Sequence, residues 1–175
     1  MAAKYVLEYD RTSLVNFRDF EFDAGSSHCY QWIDVKRFNI SEPESDDRAI
    51  LAALVDSIQF RDDYIGGGVD PKGTRHGPYW RNRIDSDKYD PADTATAVDL
   101  LKRWTTRCGN IPPALQDAIE KQVLDPIRRS TSRYILGKLD GSAVNDYGFI
   151  HTEFHELFLI DRVSNSTLLV VAADD

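Results

Sequence analysis

Leu168, Leu169, Val170, Val171, Ala172 and Ala173 follow one another with no polar interruption. The run is far short of the ~20 residues that cross a bilayer. It suits a strand, and a strand that is apolar on both sides must be covered on both sides. Residues 167–173 are therefore predicted to form a central strand, and the rest of the chain has to supply its cover.

The remaining sequence reads as strands, then helices, then strands. Tyr5, Leu7 and Tyr9 alternate with more polar neighbours, the period of a half-buried strand. Val15 and Phe17 fall on one face, whereas Phe20 and Phe22 fall on the other. That slip predicts a bulge near Arg18 and Asp19. Residues 29–38 alternate again, with Ile33 and Val35 on one face and Tyr30 and Trp32 on the other. Ser41-Glu42-Pro43-Glu44 has the form of a capping box, and Ile50, Leu51, Leu54, Val55 and Ile58 recur at helical spacing behind it. A second helix is predicted from Asp90 and Pro91, with Val98, Leu101 and Trp104 as its stripe and Cys108-Gly109 as its exit. A third runs from Pro113 through Leu115, Ile119 and Val123, to be ended or kinked by Pro126. Residues 133–139 and 148–161 complete the strands, with Asp140-Gly141 as a hairpin turn. The expected fold class is α+β: a largely antiparallel sheet built from N-terminal and C-terminal strands, with about three helices between them packed on one face.

Residues 1–175 fit one domain, with 42% apolar residues and no repeat or low-complexity tract. Cys29 and Cys108 lie far apart, with no metal-binding spacing between them, and read as two small apolar core residues of a reducing compartment. The N-terminal residues lack the basic and apolar regions of a leader, so a cytoplasmic protein is expected. The net charge of −8 is uneven. Residues 1–65 hold 7 basic and 13 acidic groups, residues 66–110 hold 8 and 6, and residues 111–175 hold 6 and 10. An acidic surface disfavours nucleic acid and suits a basic protein partner, and the shortness of every apolar run implies no membrane.

Two segments have chemistry worth weighing. On a strand, His151, Glu153 and His155 share a face, a donor set for Zn²⁺ or Fe²⁺ or an acid–base pair for a small hydrolase. The same residues read as the solvated side of an amphipathic strand whose core side is Phe154, Phe158 and Ile160. Residues 66–83 hold five of the ten glycines and the basic and aromatic side chains Lys72, Arg75, His76, Tyr79, Trp80, Arg81 and Arg83. The phosphate-loop order of Gly, Lys and Ser/Thr is absent, so the segment reads first as a loop turning at Asp70-Pro71-Lys72-Gly73. Long loops carry function often enough, and Tyr, Trp and Arg dominate interface hot spots, to make these seven residues the expected binding surface. The acidic stretch 42–47 complements a helix start.

No residue is assigned a catalytic role and no cofactor motif is present. A binding module is the leading expectation, an inhibitor or toxin-neutralising immunity protein being one concrete form. A metal-dependent hydrolase and a nucleotide or small-molecule binder are the alternatives.

Overall fold

A computed structural model describes residues 5–175. The first four, on which part of the leader reading rests, lie outside the described residues. The strands are β1 (Leu7–Asn16), β2 (Gln31–Ile40), β3 (Arg75–His76), β4 (Tyr79–Trp80), β5 (Tyr89–Pro91), β6 (Ser132–Leu136), β7 (Phe154–Asp161) and β8 (Ser166–Asp174). The helices are α1 (Asp47–Asp56), α2 (Thr94–Thr105), α3 (Pro113–Ile119) and α4 (Asp125–Arg129). Six strands form an antiparallel sheet in the order β1-β2-β8-β7-β6-β5, and β3 and β4 pair as a separate hairpin. The α+β class is as the sequence predicts. The apolar run does form a central strand: β8 lies between β2 and β7 and is buried along its whole length.

The helices are not gathered on one face. α2, α3 and α4 cover one side, where Leu101, Trp104, Leu115, Val123 and Ile127 meet Ile33, Val35, Leu157, Leu168 and Val170. α1, the 3-10 turn Ile58–Phe60 and the hairpin cover the other, over Phe38, Phe158, Leu169 and Val171. The reason lies in β7 and β8. Both alternate core residues onto each side, so one helical layer would leave Phe158, Leu169 and Val171 in water.

Local boundaries move for identifiable reasons. Asp46 caps α1, accepting from Ala49 N at 2.8 Å, so the helix begins after the expected capping box. Asp93 caps α2, accepting from Thr96 N at 2.7 Å, because Tyr89, Asp90 and Pro91 are used as an edge strand on β6. Pro lacks a donor and is tolerated at such an edge. Pro126 does not end its helix. A π turn at Glu120–Leu124 links α3 to α4, and this wider winding absorbs the bond that proline cannot make. The expected slip near Arg18 is a 3-10 turn at Phe17–Asp19, while the register shift falls between Tyr9 and Arg11. Asp140 and Gly141 start a 3-10 turn rather than a hairpin, and β7 begins only at Phe154.

The cysteine reading is overturned. Cys29 and Cys108 form a disulfide, with Cα atoms 6.3 Å apart across a sequence separation of 79. Ser27 N donates to Cys108 O at 3.1 Å, and Gly109 turns away at φ 108°, close against Ser26. The bond ties the loop before β2 to the chain just beyond α2, a meeting that sequence spacing alone cannot show.

Candidate functional site

β2 presents Trp32, Asp34, Lys36 and Phe38 in alternation towards the hairpin side. Lys36 is 1% exposed, yet its ammonium is fully satisfied. Its Nζ donates to Asp34 Oδ1 at 2.7 Å, Asp62 Oδ2 at 3.0 Å and Tyr64 OH at 3.0 Å. Three donors meet three acceptors, the condition under which a buried ammonium is tolerable. Burial pushes the Asp34 carboxyl up, against the pull of Lys36. Burial also holds the Tyr64 and Tyr89 hydroxyls well above their ordinary value.

Beside this network lies a second one. His76 is fully buried and stacks on Phe60, with ring centroids 3.5 Å apart. Its Nδ1 meets Phe60 O at 2.6 Å, and its Nε2 meets Glu156 Oε2. A carbonyl only accepts, so Nδ1 donates to Phe60 O. Tyr89 OH donates to Glu156 Oε1. The two networks join the hairpin, the segment after α1, β2, β5 and β7 across one side of the sheet. Lys36, His76 and Glu156 at their centres are out of reach of water, so the networks act to position the hairpin.

The hairpin they support is packed at backbone level. Asn145 Nδ2 donates to Gly77 O at 2.9 Å and Tyr79 O at 3.0 Å, and Asn145 N donates to Pro78 O at 2.8 Å. Gly77 has φ 51°, and a Cβ there would lie 2.4 Å from the Phe154 ring, so only glycine fits. The expected turn at residues 70–73 forms, closed by Gly73 N donating to Asp70 O at 2.8 Å.

The seven expected binding residues are divided by this packing. His76 is internal and Tyr79 is half-buried edge-on against Phe154. Lys72 stands exposed on the turn. Arg75 grips Asp146 through two bonds of 2.8 and 2.7 Å, and its guanidinium lies 4.4 Å from the Tyr147 ring centroid and 5.7 Å from that of Trp80. The hydrogen bond from Arg75 holds the Asp146 carboxyl below its ordinary value. Trp80, Arg81 and Arg83 line a recess of about 560 Å³ with Arg61, Thr74, Asn82 and Ser142. Around the hairpin the 144–149 loop exposes apolar surface: Val144 and Tyr147 in part, and Phe149 at 82%. Arg61, Asn145, Tyr147 and Phe149 were not legible as site residues, because two segments about 70 residues apart meet here.

Arg61 and Asp62 divide two recesses of opposite charge. Arg61 lines the basic one, whereas Asp62 lines a recess of about 330 Å³ with Asp34, Asp175, Trp32 and Tyr64 beneath the glycines at 66–68. Trp32 and Tyr64 stack there with centroids 5.6 Å apart, and Trp32 Nε1 donates to Asp175 Oδ1 at 2.9 Å.

The expected metal ligands do not converge. His151 lies before β7 and packs on Trp32 and Phe154, with Nδ1 2.5 Å from Asp174 O. His155 lies near Trp104 on the opposite side of the sheet and pairs with Glu153 at 2.7 Å. Glu153 also meets Arg107, and the hydrogen bond from His155 holds its carboxyl below the ordinary value. The strand alternation that would align all three residues begins only at Phe154. Among the described residues, no group of three or more His, Cys, Asp or Glu side chains is arranged to hold a metal ion. No described helix is long and apolar enough to cross a membrane.

In comparisons with known proteins, no family model, curated protein or solved structure matches the chain.

Proposed function

We propose that the protein is a binding module that acts by occupying the surface of a protein partner through the hairpin and the 144–149 loop. The carrying observation is the cluster of Tyr147, Arg75 and Trp80, fixed by Asp146, with Phe149 exposed two residues beyond Tyr147 in the same loop. Aromatic and Arg anchors held rigid before contact lose little freedom on binding, and these residue types dominate interface energetics. An exposed aromatic patch on a fixed scaffold is also hard to explain by folding alone.

An inhibitor or a toxin-neutralising immunity protein is the concrete form this takes. The acidic charge of the chain outside residues 66–110 favours a partner with basic surface around the contact. The disulfide supports an oxidising compartment over the cytoplasmic setting that the sequence suggests, because such bonds persist where thiols are not kept reduced.

The test is affinity capture at native expression levels, followed by reconstitution with the purified partner. A stoichiometric complex whose affinity falls at least tenfold in both Trp80→Ala and Phe149→Ala supports the reading. Failure to recover any stoichiometric partner, or a complex indifferent to both substitutions, overturns it.

A further inference from the structure

The recess beside Trp80 holds more cationic capacity than the fold consumes. Arg61 donates through one terminal nitrogen to Pro71 O at 3.2 Å. Arg81 donates to Val55 O at 2.9 Å and to Asp56 Oδ1 at 3.0 Å. Neither guanidinium makes any other hydrogen bond or ion pair with a described residue, so their remaining terminal N–H groups are uncommitted. Arg83 is exposed and makes no hydrogen bond or ion pair with a described residue. The carboxylate facing it, Asp140, spends Oδ1 on the backbone N–H and hydroxyl of Ser142. A volume of about 560 Å³ is in the range of small-molecule sites.

We infer that this recess is an oxyanion site, taking a carboxylate or phosphate monoester against Arg61, Arg81 and Arg83, with a planar group attached to it lying on the Trp80 ring. Guanidinium forks match the geometry of both oxyanions, and the indole offers a flat apolar face. The inference rests on reading the Trp80 surface as a binding surface, and it names the chemistry that the surface selects. Carboxylate and phosphate arms separate the two sources of that chemistry.

The experiment titrates the intact, oxidised protein with phenyl phosphate and with benzoate at constant ionic strength, with phenol as the neutral control. Two-dimensional NMR reads the Arg Nε–H and Trp indole resonances. Saturable shifts at Trp80 and at two or more arginines with either anion are expected, and the anion that saturates first identifies the preferred oxyanion. Arg83→Gln, which removes no hydrogen bond or ion pair with a described residue, is expected to weaken binding about tenfold or more. Unsaturable shifts with both anions, equal binding of phenol, or an Arg83→Gln variant that binds as tightly as the parent would each overturn the inference. Because these probes need no protein partner, a negative result here leaves the capture experiment to be judged on its own.

Discussion

On the side of the sheet covered by α2, α3 and α4, Leu101, Leu115, Val123 and Ile127 pack on Ile33, Val35, Leu157 and Val170, and apolar contact accounts for the cover. On the hairpin side the same strands present Asp34, Lys36 and Glu156, and the covering segment answers with Asp62, Tyr64, His76 and Tyr89. Burying apolar side chains is forgiving of small shifts. Burying charges is not, because each must meet its partner in one geometry or lose more in desolvation than it recovers. The first side therefore supplies stability, while the second fixes where a short hairpin sits. The candidate surface lies on the second side.

The contrast can be broken most directly at Lys36. Lys36→Met leaves Asp34 and Asp62 buried without their cation and is expected to cost about 3–5 kcal/mol in urea denaturation at neutral pH. Asp34 already has a raised pKa through burial. A carboxyl raised in the folded state binds its proton more tightly there than in the unfolded chain. Its contribution is therefore best at acid pH and weakens as pH rises through the folded value. Without Lys36 the rise is larger, so the deficit of the variant is expected to shrink as pH falls towards 4. A deficit independent of pH would show that the network is not electrostatic.

Leu157→Ala, on the apolar side, is the counterpart. A loss of about 3 kcal/mol is expected from a fully buried Leu. It should be the same at pH 7 and pH 5, since Leu157 packs within a cluster of apolar side chains.

The disulfide sharpens the comparison because it clamps the chain at both ends of the segment that holds α1, the hairpin and α2. Cys29→Ser with Cys108→Ser is expected to cost about 2–4 kcal/mol, read as a lower Tm matched by the parent protein under reductant. An unchanged Tm would mean that packing alone closes this loop.

The smallest effect is at the rim. Burial pushes the Asp47 carboxyl up, but hydrogen bonds from Ser132, Tyr134 and Arg162 outweigh it and hold the pKa below the ordinary value. A lowered carboxyl stabilises the fold above the unfolded pKa, and that contribution disappears as pH falls through the folded one. Arg162→Ala should thus lose about 1 kcal/mol at pH 7 and less near pH 2, where only its bonds to Pro43 O and Ser45 O are at stake.

What the sequence reveals follows from how local each signal is. The centrality of β8 is written in six consecutive residues, and the stripes of α1 and α2 in their own periodicity. The division of helices between two faces is also implicit, since β7 has core residues of both parities, whereas a simple amphipathic strand would leave the parity of Glu153 and His155 to water. Lys36 carried a signal as well. It shares parity with Trp32 and Phe38, so a lysine at an inward position demanded carboxylates nearby. Those carboxylates are 26 residues away at Asp62 and, beside it in the sheet, at Asp34. The basic recess was half legible. Trp80, Arg81 and Arg83 cluster in sequence, whereas Arg61 and Ser142 reach it only through tertiary folding.

The bond between Cys29 and Cys108 encloses α1, the glycine-rich turn and the whole hairpin in a covalent ring. A protease that cuts the exposed chain between Gly66 and Gly73 would therefore release no fragment. The nicked molecule would run at full length on a gel until reduced, and the two sides of the cut would remain held over the same networks that position Trp80.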